Sequence, residues 1–172
     1  MSFYVLGYGS LVGAVGVNGR GMTKQYKPKD LTETYLNDYE RHLEAGMRGG
    51  VNYYGISPKK GSRVNGVVFK IKRKDVRPFL GSEGFGFPEG VRPYKMVDVT
   101  DKVDLKVDGR IWACVSNHRF VTEVAPGYFH RVAEALKERS PKFCAEFAPF
   151  DKDWKRKERT AWERFMFSEG AW

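Results

Sequence analysis

The chain has 172 residues, with 30 Lys and Arg against 21 Asp and Glu for a formal net charge of +9. One domain of ordinary size accounts for that length, and a content of 41% hydrophobic and 15% aromatic residues can build a core. Intrinsic disorder, collagen-like repeats and a disulfide-stapled miniprotein are thereby excluded. Two isolated cysteines, Cys114 and Cys144, and three scattered histidines, His42, His118 and His130, have no metal-ligand spacing. The apolar N-terminus lacks a basic n-region and is broken by Gly7, Gly9, Gly13 and Gly16, and no Asn-x-Ser/Thr sequence occurs. Both observations point to a cytoplasmic protein with reduced thiols.

Residues 3–6, Phe-Tyr-Val-Leu, predict a buried strand that runs into a glycine turn. Residues 51–56 and 64–71 predict two further strands, separated by turn chemistry at Pro58-Lys-Lys-Gly61. Residues 75–80 suit a short helical turn. Residues 103–107 and 110–115 flank Asp108-Gly109, a dipeptide suited to the positive φ of a type I′ turn, and so predict a hairpin. After Pro126-Gly127, the spacing of Phe129, Val132, Ala133 and Leu136 is helical, as is that of Trp154, Ala161, Trp162, Phe165 and Met166. Strands come first and helices late, an α+β order without the alternation of a doubly wound sheet. No repeat or linker divides the chain. Residues 1–172 are expected to form a single domain, with a basic, aromatic helical extension at about 151–172.

Between residues 59 and 77 the basic residues Lys59, Lys60, Arg63, Lys70, Lys72, Arg73, Lys74 and Arg77 face Asp75 alone. Such a stripe suits nucleic acid, an acidic protein partner, or a solvated face. The tail interleaves Lys155-Arg-Lys-Glu-Arg159 with aromatics, which suits single-stranded nucleic acid or, at helical spacing, packing on the domain.

Two segments suggest chemistry. Gly7-Tyr8-Gly9-Ser10-Leu11 follows a strand without side chains at positions 7 and 9, so its N–H groups can converge on an anion. It matches neither a phosphate-binding Walker loop nor a dinucleotide fingerprint, and a structural turn explains it equally. Ser82-Glu83-Gly84-Phe85-Gly86-Phe87-Pro88-Glu89-Gly90 places two carboxylates among aromatics, where desolvation raises proton affinity and suits proton transfer, unless both glutamates face solvent. No Cys-His or Ser-His-Asp arrangement is evident.

In order, several pieces resemble the γ-glutamylcyclotransferase superfamily, which includes γ-glutamylamine cyclotransferases and AIG2-like proteins. The opening Phe3-Tyr-Val-Leu-Gly-Tyr-Gly-Ser-Leu11 resembles its first strand and Tyr-Gly-Ser-Leu loop, and Leu36-Asn-Asp-Tyr39-Glu-Arg41 its "Leu-x-x-Tyr-x-Arg" strand. Gly55 to Phe69 resembles the approach to its central strand, Phe79-Leu-Gly-Ser-Glu83-Gly84 its "Leu-Asp-x-x-Glu-Gly", and Tyr94-Lys-Met-Val97-Asp-Val99 a later strand. Ala125-Pro126-Gly127-Tyr128 is similar to the sequence opening a late helix. The set spans roughly residues 3–137.

The resemblance implies a compact mixed β-barrel with flanking helices and a reaction that needs neither metal nor cofactor. The α-amine of a γ-glutamyl amine or small γ-glutamyl peptide attacks its own γ-carbonyl, closing 5-oxoproline and expelling the amine. It further implies Glu83 as the general acid/base, 17 residues after Gly66, with Glu89 as the alternative. Tyr8, Gly9, Ser10, Leu11 and Tyr128 would bind substrate. No membrane partner is implied. The other reading is a catalytically silent member of the fold that binds nucleic acid or an acidic protein.

Overall fold

In a computed structural model, the described residues are 2–46, 50–119 and 123–147. Five strands form one mixed sheet: β1 (Ser2–Gly7), β2 (Thr32–Gly46), β3 (Asn52–Ile71), β4 (Tyr94–Asp98) and β5 (Gly109–Ser116), in the order β2-β3-β1-β5-β4. β1 is central, antiparallel to β3 from Phe3↔Ile71 to Gly7↔Val67 and parallel to β5 from Ser2↔Gly109 to Leu6↔Ala113. Both of its faces are covered, as its unbroken apolar run requires. Val5 enters a core shared with the helices, and Leu6 enters a second core with Leu36, Ile56, Val64 and Ile111 on the other face. The sheet curls into a half-barrel around that second core.

The curl is built into β2. Its pairing with β3 slips between Asn37 and Tyr39 and again between His42 and Ala45. Bulges of this kind bend a strand and increase its twist. Bending brings the outer edge of β2 to the segment after β4, where Leu36 bridges Val103 and the Asp104 N–H donates to the Tyr35 carbonyl.

Two local predictions yield to these longer-range pairings. Pro58-Lys-Lys-Gly61 does not reverse the chain, and residues 52–71 form one strand. Asn37 faces Arg63 while Tyr39 faces Pro58, so residues 59–62 bulge opposite Asp38 alone. Asp38 has φ 62° and accepts from the Gly61 N–H at 3.0 Å. Turn chemistry is spent on a corner within a strand. Nor do residues 103–107 and 110–115 pair around Asp108-Gly109. The Asp108 carboxylate is instead taken by the hydroxyls of Ser2 and Tyr4 and by Lys70. Gly109 is demanded by crowding, since a Cβ there would lie 2.2 Å from the Ser2 carbonyl oxygen. Placing β5 between β1 and β4 fully buries Ile111 and Ala113, which outweighs the local gain of a hairpin.

Four helices complete the described fold: α1 (Ala14–Asn18), α2 (Val76–Ser82), α3 (Tyr128–Leu136) and α4 (Pro141–Glu146). α3 buries Tyr128, Phe129, Val132 and Ala135; of the stripe its sequence spacing predicts, Phe129 and Val132 are buried while Ala133 and Leu136 are half-buried. α4 carries a start signal, Ser140-Pro141, and the Ser140 hydroxyl accepts from the Phe143 N–H at 3.2 Å. The helical spacing of residues 154–166 lies outside the described residues. α2 is anchored by Phe79, fully buried and edge-on to Phe69 with centroids 6.3 Å apart. Phe79→Ala should lower unfolding stability by about 3–5 kcal/mol in a urea titration.

Candidate functional site

β1 ends where the chain must turn within one residue of its neighbours. A Cβ on Gly7 would lie 2.7 Å from Leu11 Cβ, and one on Gly9 would lie 2.6 Å from the Tyr128 hydroxyl. A Cβ on Gly13 would meet Ala135 Cα at 2.5 Å. The glycines therefore let α3 close directly on the loop. The Tyr128 hydroxyl accepts from the Tyr54 N–H at 3.1 Å and packs against Gly9, holding loop, β3 and helix together. Burial pushes its acidity down, to a pKa of about 12. Behind the loop, the Arg41 guanidinium donates from Nε to the Tyr8 carbonyl at 3.0 Å.

Glu83 arrives from the other side. α2 ends at Ser82, the Glu83 N–H donates back to Phe79 and Leu80 carbonyls at 3.2 and 3.1 Å, and Gly84 turns the chain away with φ +84°. The Glu83 side chain lines a cavity of about 600 Å³ that is also lined by Tyr8, Gly9, Ser10, Leu11 and Tyr128. Tyr94 and Cys114 complete its buried floor, while Val15, Phe87 and Arg131 are exposed at its rim. Glu89 begins an exposed 3-10 turn, Glu89–Val91, and does not line the cavity.

Burial raises the Glu83 carboxyl above the ordinary glutamate value, and Arg20 opposes that shift from 3.2 Å. Arg20 also donates to the Ser10 hydroxyl at 3.3 Å. One guanidinium thus touches both the acid and the glycine loop. The phenols of Tyr8 and Tyr94 are pushed well up, chiefly by burial, and donate to the Cys114 and Tyr54 carbonyls respectively. The Cys114 thiol is pushed up by burial and by the nearby Glu83 charge, so it stays protonated. His42 is buried away from the cavity lining and pushed down to about 4 by burial.

Sequence reasoning missed Arg20, Arg41 and Tyr94 as parts of this site. Arg41 and Tyr94 stand within family-like segments, but Arg20 follows Gly19 with no local signal. The basic stripe divides. Lys59 pairs with Glu40, Lys70 with Asp108, and Arg63 lies over the Tyr35 ring, whereas Lys72, Arg73, Lys74 and Arg77 are exposed around the start of α2. No helix among the described residues is long and apolar enough to cross a membrane.

No protein-family model matches the sequence, and no curated protein sequence does. Solved structures do match. A γ-glutamyl cyclotransferase aligns with a TM-score of 0.67 at 16% identity, over 87% of this chain and 88% of that one. An uncharacterised protein from Homo sapiens aligns with a TM-score of 0.66 at 17% identity, over 86% and 87%. A γ-glutamyl cyclotransferase specific to glutathione from yeast aligns with a TM-score of 0.53 at 13% identity, over 88% and 96%. The architecture is an α+β curled half-barrel with a cavity at the end of its central strand. Its fold is that of the γ-glutamylcyclotransferase superfamily.

Steric closure at Gly9 is testable by a double-mutant cycle. Gly9→Ala should cost about 1–3 kcal/mol by crowding the Tyr128 hydroxyl. Tyr128→Phe removes that atom but leaves the Tyr54 N–H without its acceptor, so the double variant should be more stable than the sum of the single losses. The burial of Glu83 predicts a pH signature. The unfolded chain releases this proton at the ordinary value, so wild type loses stability as pH rises from 4.5 to the raised folded value. Glu83→Gln carries no such dependence, and urea titrations across that window should show its stability rising relative to wild type.

Proposed function

We propose that the protein is a γ-glutamylcyclotransferase that converts a γ-glutamyl amine or small γ-glutamyl peptide to 5-oxoproline and the free amine. One observation carries this reading: the Glu83 carboxylate and the Tyr8 to Leu11 loop line a single cavity. The substrate supplies its own nucleophile five bonds from the scissile carbonyl carbon's leaving nitrogen, so the cavity's task is to fold the glutamyl chain and move protons. Holding an internal nucleophile in attack geometry accounts for a large share of the acceleration.

Glu83 takes a proton from the α-ammonium, and the freed amine attacks the γ-carbonyl carbon. A new C–N bond closes the five-membered ring as the carbonyl electron pair moves onto oxygen. When that pair returns, the bond to the leaving nitrogen breaks, and Glu83 delivers the proton to that nitrogen. The second proton lost by the α-nitrogen ends on the released amine in water. A carboxyl raised by burial suits both halves, because it binds a proton more readily than an exposed glutamate and still releases it. Val15, Phe87 and Arg131 line the cavity and are exposed, which supports release of the amine to solvent at that rim.

Incubation with a γ-glutamyl panel and assay of 5-oxoproline tests the reading. Glu83→Gln should lower kcat about 10²- to 10⁴-fold, while Glu89→Gln leaves it near wild type. Removing the guanidinium in Arg20→Gln should move the acid limb of the kcat/KM profile to higher pH, since an opposing cation no longer favours the carboxylate. Undiminished product from Glu83→Gln sinks the mechanism.

A further inference from the structure

The proposed reaction does not use Arg41, although its guanidinium occupies a demanding place. Nε donates to the Tyr8 carbonyl at 3.0 Å, and Nη2 donates to the Asn65 backbone carbonyl and, at 3.0 Å, to Asn65 Oδ1. The Phe147 ring covers Cζ at 3.7 Å. Asn65 is itself buried and donates from Nδ2 to the Phe143 carbonyl at 2.8 Å. Every acceptor here is neutral. Burial brings the guanidinium pKa to about 10, so it stays charged at neutral pH, and only tyrosines oppose the shift. No carboxylate among the described residues pairs with Arg41; burying a cation without a counter-ion is costly, and neutral donors could satisfy neutral carbonyls. The charge calls for an anion nearby.

The cavity lies on the other side of the same peptide group. The Tyr8 carbonyl and the Gly9 N–H are two ends of one planar trans unit and point in opposite directions. With its carbonyl held by Arg41, that unit turns the Gly9 N–H away from the arginine, and Gly9 lines the cavity. Gly9 is buried, and its N–H has no acceptor among the described residues. Buried backbone donors without partners are rare, so this one marks a place for a ligand acceptor. A cation on the carbonyl polarises the amide and strengthens its N–H as a donor.

We propose that Arg41 is a positioning residue that aims and polarises the Tyr8–Gly9 peptide so that the cavity prefers the anionic α-carboxylate of a γ-glutamyl ligand over a neutral group of the same shape. This rests on the γ-glutamyl reading above. Arg41 touches no ligand and acts through the peptide.

The test compares binding of 5-oxoproline and its neutral carboxamide, 5-oxoprolinamide, to the full chain by calorimetry. Wild type should favour the carboxylate. Arg41→Gln should reduce that preference at least about tenfold while changing carboxamide affinity little, raising KM for a γ-glutamyl substrate with a much smaller change in kcat. Arg41→Lys, which keeps the charge, should retain part of the preference. Asn65→Asp keeps the guanidinium and sets a carboxylate against it, so it should also erode the preference and covers the case in which Arg41→Gln does not fold. An unchanged preference in a folded Arg41→Gln or Asn65→Asp, or equal loss of both ligands, overturns the role of Arg41 alone. Failure of wild type to bind 5-oxoproline or to process any γ-glutamyl substrate overturns the γ-glutamyl reading and this inference together.

Discussion

A Cβ on Gly9 would lie 2.6 Å from the Tyr128 hydroxyl, and one on Gly13 would lie 2.5 Å from Ala135 Cα. Because no side chain stands at either position, α3 rests directly on the loop that ends β1. The rest of the site depends on that contact. It lets the Tyr128 hydroxyl reach the Tyr54 N–H of β3 beside the loop, and it sets the wall opposite which α2 presents Glu83. Overpacking at one of these glycines would propagate into the cavity, since closely packed groups cannot relax without moving their neighbours.

Electrostatics divide around the loop. In front of it, a buried carboxylate is pushed toward neutrality by desolvation and held back by Arg20. Behind it, a buried guanidinium rests on neutral carbonyls and an aromatic face. Each arrangement costs stability, and each gains its strength from the low dielectric that makes it costly. Much of the remaining surplus charge is ordinary surface chemistry. Lys59 and Lys70 have acidic partners, and such exposed pairs contribute little. Lys72, Arg73, Lys74 and Arg77, which form no ion pair among the described residues, lie at the start of the helix that leads to Glu83, where their positive field favours approach of anions.

Features governed by neighbours along the chain were legible. The apolar run at residues 3–6 requires burial on both faces, and the glycines after it require a turn, wherever the strand is placed. The spacing of Phe129, Val132 and Leu136 after Pro126-Gly127 defines a helix with one buried face. The family-like segments likewise singled out Glu83. Features governed by partners distant in the chain were not legible. Asp108-Gly109 has the local chemistry of a hairpin turn, yet Ser2, Tyr4 and Lys70 claim the aspartate, and β1 claims the strand that follows. Pro58-Lys-Lys-Gly61 has the chemistry of a reversal, yet β2 pairs on both sides of it and leaves only a bulge.

By itself, then, the sequence determined a charged, α+β chain with a glycine loop after its first strand and two candidate carboxylates, Glu83 and Glu89, in one glycine-rich aromatic segment. Only the tertiary structure decided that Glu83 and not Glu89 shares the loop's cavity, that Arg20 spans acid and loop, and that Arg41 stands behind Tyr8. The physical reason is range. Backbone preference and apolar periodicity act over a few residues, whereas the desolvation and close charges that define this site arise only when β1, β2 and α2 are packed together.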